Sequence, residues 1–149
     1  PEAQLLLGTT VASLKPAVVQ AAFTRSLEGV GVNDLTLDNG IENKNHGELP
    51  VPAFFCDPHS PWQKPHVENG IGLLRRWFVP KRVNLALLPE EELQGYLHVL
   101  NGKYRKSLGY RSAYETALAR GIIDETFVIE GRTLAAHHPI TRVAFDARI

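Results

Sequence analysis

Apolar and polar positions follow two different periods along this chain, and each change of period marks an element. Residues 4–11 are apolar and β-branched and read as a strand. Pro16 suits the first turn of a helix. Residues 17–27 follow as that helix, with Val18, Ala21 and Ala22 on one face at spacings of three and four and Gly29 just past its end. Residues 34–37 alternate, with Leu35 and Leu37 apolar, and read as a short strand closed by the turn signature Asp38-Asn39-Gly40. Residues 42–48 are strongly polar and suit at most a short helix. Residues 51–56 read as the next strand, with Pro52 pointing to an edge position or a late start. The order of strand, helix and strand over residues 4–11, 17–27 and 34–37 predicts a crossover unit and a sheet with parallel strands.

The second half of the chain is helical in pattern. Residues 66–78 carry Val67, Ile71, Leu74 and Phe78 at spacings of four, three and four, and Pro80 stops the run. Gly70 and Gly72 lie inside it and cost about 1 kcal/mol each relative to alanine. Some close packing or ligand approach has to offset that cost. Pro89 and Glu90, Glu91 and Glu92 open a further helix with acids in its first turn, where the helix dipole favours them. Leu93, Tyr96, Leu97 and Leu100 are its apolar stripe, and Asn101-Gly102 its stop. Residues 112–120 form a shorter helix stopped by Gly121. Residues 126–130 and 140–145, with Gly131-Arg132 between them, read as a terminal hairpin.

Composition sets limits without choosing a function. The chain has 149 residues, 44% of them apolar and 21% charged, which suits one soluble globular domain with a proper core. It lacks the eighteen consecutive apolar residues of a membrane span, and its first residues make a poor signal peptide. The single cysteine, Cys56, excludes a disulfide framework and a cysteine zinc site, so the cytoplasm is the expected compartment. The six histidines show no metal-ligand spacing. Sixteen basic and sixteen acidic residues cancel. Bulk charge therefore argues mildly against nucleic acid as a partner, although Lys64, Arg75, Arg76, Lys81 and Arg82 cluster in sequence, as do Lys103, Arg105 and Lys106. With no methionine and a start at Pro1, the sequence reads as part of a longer product.

Candidate chemistry concentrates in residues 35–76. Asp38 ends a strand, the edge at which open α/β sheets bind ligands. Glu68 starts a helix. Two rigidly placed carboxylates suit hard divalent cations, Mg²⁺ or Mn²⁺, held against phosphate. The competing account makes Asp38 a turn residue and Glu68 a helix-start acid, and spacing alone favours that account. Asn39 and Gly40 allow close approach of the backbone to a ligand, and Glu42 is placed to orient a metal-bound water. Trp62, Gln63 and Lys64 suit stacking on an unpaired base and contact with phosphate. Arg75, seven residues beyond Glu68 and so on nearly the same helix face, is placed to reach flanking phosphates, with Arg76 beside it.

The residues themselves shift that weighting. DNGIENKNH, FFCDPHSPWQKPHVEN, LLRRWFVPK, LNGK and LGYRSAYE occur in this order. Together they resemble the DDE transposases of bacterial insertion sequences, of the insertion-sequence-thirty type with an integrase catalytic core. The resemblance runs from about residue 5 to 115, and residues 54–69 are its most specific part. It implies an α/β fold of the ribonuclease-H-like kind, a mixed sheet flanked by helices, with its first strand or strands upstream of this chain. It implies an enzyme that uses three acids and Mg²⁺ (or Mn²⁺) to cut transposon ends and join them to target DNA, working as a homo-oligomer. On that likeness Asp38 corresponds to the second acid and Glu68 to the third. The first acid has no counterpart here, and Pro65-His66 departs from the small residue common after the lysine. The expected division is a partial catalytic core over residues 1–104 and a C-terminal extension over 105–149. The missing acid also motivates an alternative, a catalytically silent remnant that binds DNA or dimerises.

Overall fold

A computed structural model describes residues 3–57, 65–84 and 87–136, the side chains of residues 65 and 131–136 excepted. The order of elements is helix α1 (Pro16–Ser26), strand β1 (Leu35–Leu37), two single-turn 3₁₀ helices (Ile41–Asn43 and His46–Glu48), strand β2 (Ala53–Phe55), and helices α2 (Pro65–Trp77), α3 (Glu90–Gly102), α4 (Ala113–Ala119) and α5 (Glu125–Ala136). The protein is thus mixed α/β, with a two-stranded sheet among the described residues. Residues 11–65 form one unit, and residues 1–10 with 66–149 form another.

In the first of these units β1 and β2 pair in parallel, Leu35 with Ala53 and Leu37 with Phe55. The crossover expected from strand, helix and strand over residues 4–37 is not formed, because residues 4–11 are not a strand; the parallel pair joins instead the two strands that flank the polar connection. That connection folds as the two 3₁₀ turns rather than as one helix. Pro52 lies just before β2, where its missing N–H costs nothing and its carbonyl accepts from Leu35 N–H at 2.9 Å. Leu37, Cys56 and Ala22 are buried in this unit, and α1 packs on the first 3₁₀ turn. Leu27 satisfies the last turn of α1 by donating to Phe23 and Thr24 carbonyls.

The other unit is helical. Its core is Leu74, Val79, Leu93, Tyr96, Leu97 and Leu100, with Leu6, Leu73, Trp77, Phe78 and Leu88 packed against it. Phe78 stacks on Tyr96 with ring centroids 4.6 Å apart. Helix α3, carrying the expected stripe, is the centre, and α4 and α5 pack on it. Ser112 caps α4 in a reciprocal box: its hydroxyl accepts from Glu115 N–H, while the Glu115 carboxylate accepts from Ser112 N–H.

Three expectations are corrected. Residues 4–10 are not a strand; side chains of α3 take the place of a neighbouring strand, Asn101 bonding to Leu6 at both its N–H and its carbonyl and Gln94 donating to the Gly8 carbonyl. The terminal hairpin is replaced by α5, because Asp124 accepts from Phe127 N–H at 3.0 Å and starts a helix there. Its second arm, residues 140–145, lies outside the described residues. The face of α2 agrees only in part with the one the spacing suggested, since Leu74 and Phe78 pack in the core as expected. Val67 and Ile71 are half exposed, and Gly70, Leu73 and Leu74 are the better covered positions. Gly70 meets the expected need for close packing, since a Cβ there would fall 2.6 Å from Leu6 Cδ1; at Gly72 a Cβ would meet nothing within 4 Å.

Candidate active site

Asp38 directly follows β1, at the C-terminal end of the parallel pair, and its side chain is exposed. The local turn is built on two asparagines. Asn43, buried in the first 3₁₀ turn, donates its Nδ2 to the Asp38 carbonyl at 3.0 Å and to Asp38 Oδ1 at 2.9 Å. Asn39 donates its Nδ2 to the Cys56 carbonyl at 2.7 Å, tying the end of β1 to the end of β2. The Asp38 carboxylate is therefore held by a buried amide instead of pivoting freely on a turn.

Gly40 and Glu42 complete the turn. A Cβ on Gly40 would overlap the Glu42 carboxyl group, the far end of a flexible side chain, so the two lie in close contact. The backbone of Gly40 is extended, so no left-handed conformation requires a glycine there. Glu42 and Asn43 also border a shallow pocket with Val19, Gln20, Phe23, Leu37 and His46. His46 places Nδ1 3.1 Å from the Asn43 carbonyl oxygen and its ring edge-on to Phe55 at 4.8 Å.

Glu68 stands in the first turn of α2 and is exposed. It belongs to the helical unit, whereas Asp38 belongs to the other. Trp62, Gln63 and Lys64 lie outside the described residues. Arg75 uses its guanidinium within the helical unit: Nη1 donates to the Val83 carbonyl at 3.0 Å and to the Pro80 carbonyl at 3.3 Å, tying α2 to the turn that follows it. Arg76 is the exposed member of the pair. Among the described residues no three His, Cys, Asp or Glu side chains converge as a metal-binding group. No described helix is long and apolar enough to cross a membrane.

Asn43 was missed by sequence reasoning, which singled out Asn39 and Glu42 around Asp38. The available signal was an asparagine five residues beyond the strand-end acid, since short polar side chains commonly bond back to nearby backbone.

No protein-family model matches the chain. Individual proteins do. Over 99 residues it is 41% identical to the transposase for insertion sequence element IS1086 of Cupriavidus metallidurans, a match covering 62% of this chain and 29% of that protein. Over 92 residues it is 39% identical to transposase InsI for insertion sequence element IS30A of Escherichia coli K12, covering 59% of this chain and 24% of the transposase. Over 88 residues it is 31% identical to the transposase for insertion sequence element IS4351 of Bacteroides fragilis, covering 56% and 27%. The chain is thus homologous to insertion-sequence transposases and spans less than a third of the length of the curated relatives it matches. Its similarity is to transposases of the IS30 type, in agreement with the motifs that carry the sequence resemblance.

Proposed function

We propose that this chain is a segment of the catalytic core of an IS30-type transposase, of ribonuclease-H-like architecture, and that it takes part in DNA transposition. Asp38 and Glu68 are, on this reading, two of three carboxylates that hold Mg²⁺ (or Mn²⁺). The observation that supports it most directly is the turn at Asp38. An exposed carboxylate follows a parallel strand and is oriented by a buried asparagine, on the sheet edge where α/β proteins bind ligands. Similarity to transposases supplies the reaction class.

The donor set fits the metal. Carboxylate oxygens on element ends are the ligands Mg²⁺ and Mn²⁺ prefer, with water and phosphate oxygens completing the shell. Bound there, the ions would activate water and stabilise charge on the phosphate under attack. The protein's own work is positional. Asn43 fixes the rotamer of Asp38, and the first turn of α2 carries Glu68. Trp62, Gln63 and Lys64, just before Glu68 in sequence, hold the DNA end, and Arg76 faces phosphate while Arg75 keeps the end of α2 in place. Hydrolysis of a phosphodiester at the element's end frees a 3′-hydroxyl, which then attacks a phosphodiester of target DNA in line and displaces its 3′-oxygen. On this reading the protein works as a homo-oligomer on paired ends.

The test is substitution within the full-length transposase. Asp38→Asn and Glu68→Gln keep size and remove charge, and each is expected to lower Mg²⁺-dependent end cleavage by about 100-fold or more, as loss of a transition-state electrostatic group does. Wild-type cleavage by either variant would overturn the reading.

A further inference from the structure

Residues 103–111, Lys-Tyr-Arg-Lys-Ser-Leu-Gly-Tyr-Arg, join α3 to α4 as a closed turn within the helical unit. Arg105 N–H donates to the Arg111 carbonyl at 3.0 Å, and Tyr110 N–H donates to the Arg105 carbonyl at 3.0 Å. The turn is bolted down by its first cations. Arg105 donates to the Gln4 and Leu100 carbonyls, each at 3.0 Å. Lys103 places Nζ 3.9 Å from the centre of the Trp77 ring. Those two charges serve structure.

The remaining side chains point the other way in purpose. Tyr104 and Tyr110 are each 71% exposed, and Lys106 and Arg111 are exposed as well. Among the described residues, none of these four side chains takes a hydrogen bond or a ring contact. Tyr110 has φ +62°, directly after Gly109 at +65°. A bulky residue rarely adopts this left-handed conformation, and where it does the surrounding structure has to impose it. Here the imposed conformation presents an aromatic ring to solvent on a rigid base, with cations beside it.

We infer that this turn is a second DNA contact, separate from the residues around Asp38 and Glu68, which binds unpaired DNA by stacking bases on Tyr104 and Tyr110 while Lys106 and Arg111 meet the flanking phosphates. Aromatic rings interleaved with cations are what single strands require: every base offers a π-face, and the backbone offers regularly spaced charge. Duplex DNA, whose bases are already stacked, has no use for the rings. The choice of DNA over RNA rests on the transposase reading.

The experiment measures binding of the full chain to a fluorescein-labelled oligothymidylate and to a labelled duplex of equal length by anisotropy. Tyr104→Ala with Tyr110→Ala is expected to weaken oligothymidylate binding about tenfold or more, leave duplex binding within about twofold, and leave the circular dichroism spectrum unchanged. Tyr104→Phe with Tyr110→Phe restores binding, since the ring and not the hydroxyl stacks. Lys106→Ala with Arg111→Ala lowers the slope of log affinity against log salt by about 1.4, for two phosphates of a single strand. Oligothymidylate binding unchanged in the double alanine variant, or absent in the wild type, would overturn the inference. Glu68→Gln separates the two readings. Lost cleavage in that variant with unchanged binding in the tyrosine variant removes only the turn's role, and the converse removes only the catalytic assignment.

Discussion

Asn101 hydrogen-bonds both backbone groups of Leu6: its Nδ2 donates to the Leu6 carbonyl at 2.8 Å, and its Oδ1 accepts from Leu6 N–H at 2.8 Å. An amide side chain thereby imitates the edge of a strand. Asn101 is itself 2% exposed, so its amide has no water to fall back on. Asn101→Leu keeps the bulk and removes donor and acceptor together, leaving polar groups at Leu6 without partners. Unfolding in urea, followed by circular dichroism, is expected to show a loss of about 2–3 kcal/mol. A loss below about 0.5 kcal/mol would mean that water replaces both bonds.

Glu90 holds the next turn of the same segment and makes that attachment sensitive to acid. Burial opposes its ionisation, yet hydrogen bonds from Thr10, Gln94 and Thr9 outweigh burial and hold its carboxyl below the ordinary 4.5. Thr10 N–H and Thr10 Oγ1 both donate to Oε2 at 2.6 Å. A carboxyl whose folded pKa is depressed contributes stability that is complete above the unfolded value and is lost as pH falls through the folded one. The stability difference between wild type and Glu90→Gln should therefore be constant down to about pH 5.5 and shrink below about pH 4.5. Urea unfolding across that range checks it, and a difference independent of pH would remove Glu90 from the account.

How far the pattern of residues reveals the structure depends on where each hydrogen bond ends. Helices α1, α2, α3 and α4 were legible because periodicity, proline starts and glycine stops are all local signals. Residues 4–10 were misread because their backbone partners are side chains of Asn101, Gln94 and Glu90, far along the chain, and β-branched apolar composition looks the same in either case. The terminal hairpin failed on a local signal given too little weight, the Asp124 cap, against β-branched residues in 126–130. At the site, the position of Asp38 was plain from its strand and turn. The buried partner that orients it was not, since Asn43 is one of several polar residues in an unpatterned run.

Gly70 and Gly72 sit two residues apart in α2 and should respond oppositely to alanine. At Gly72 the added methyl meets nothing, so Gly72→Ala is expected to stabilise by up to about 1 kcal/mol through helix propensity. At Gly70 the same methyl drives into Leu6 Cδ1. Leu6 cannot retreat as a whole, because Asn101 holds its backbone on both sides. The side chain must leave its rotamer or the helix must shift, so Gly70→Ala should fall below Gly72→Ala by roughly 1–2 kcal/mol. Equal midpoints for the two variants would show that Leu6 repacks without cost.

Asn43 gives the sharpest separation between folding and chemistry. Its Nδ2 bonds to Asp38 twice, once at the carbonyl and once at Oδ1, so it couples the shape of the turn to the aim of the carboxylate. Asn43→Asp preserves size and replaces the donor with a second negative charge beside Asp38. Asn43→Ser is smaller and keeps a donor in the shorter side chain. If Asp38 binds metal, outer-shell partners of this kind are worth about 10–100-fold. On the proposed function, Asn43→Asp in the full-length protein is then expected to lower Mg²⁺-dependent cleavage by that factor and to raise the Mg²⁺ concentration required for half-maximal rate, with Asn43→Ser intermediate. A purely structural role predicts something else: lower thermal stability, reduced activity at every Mg²⁺ concentration, and no change in the half-maximal concentration. The metal titration therefore decides between them, because only an aimed ligand links the loss of an amide proton to the apparent affinity for a cation.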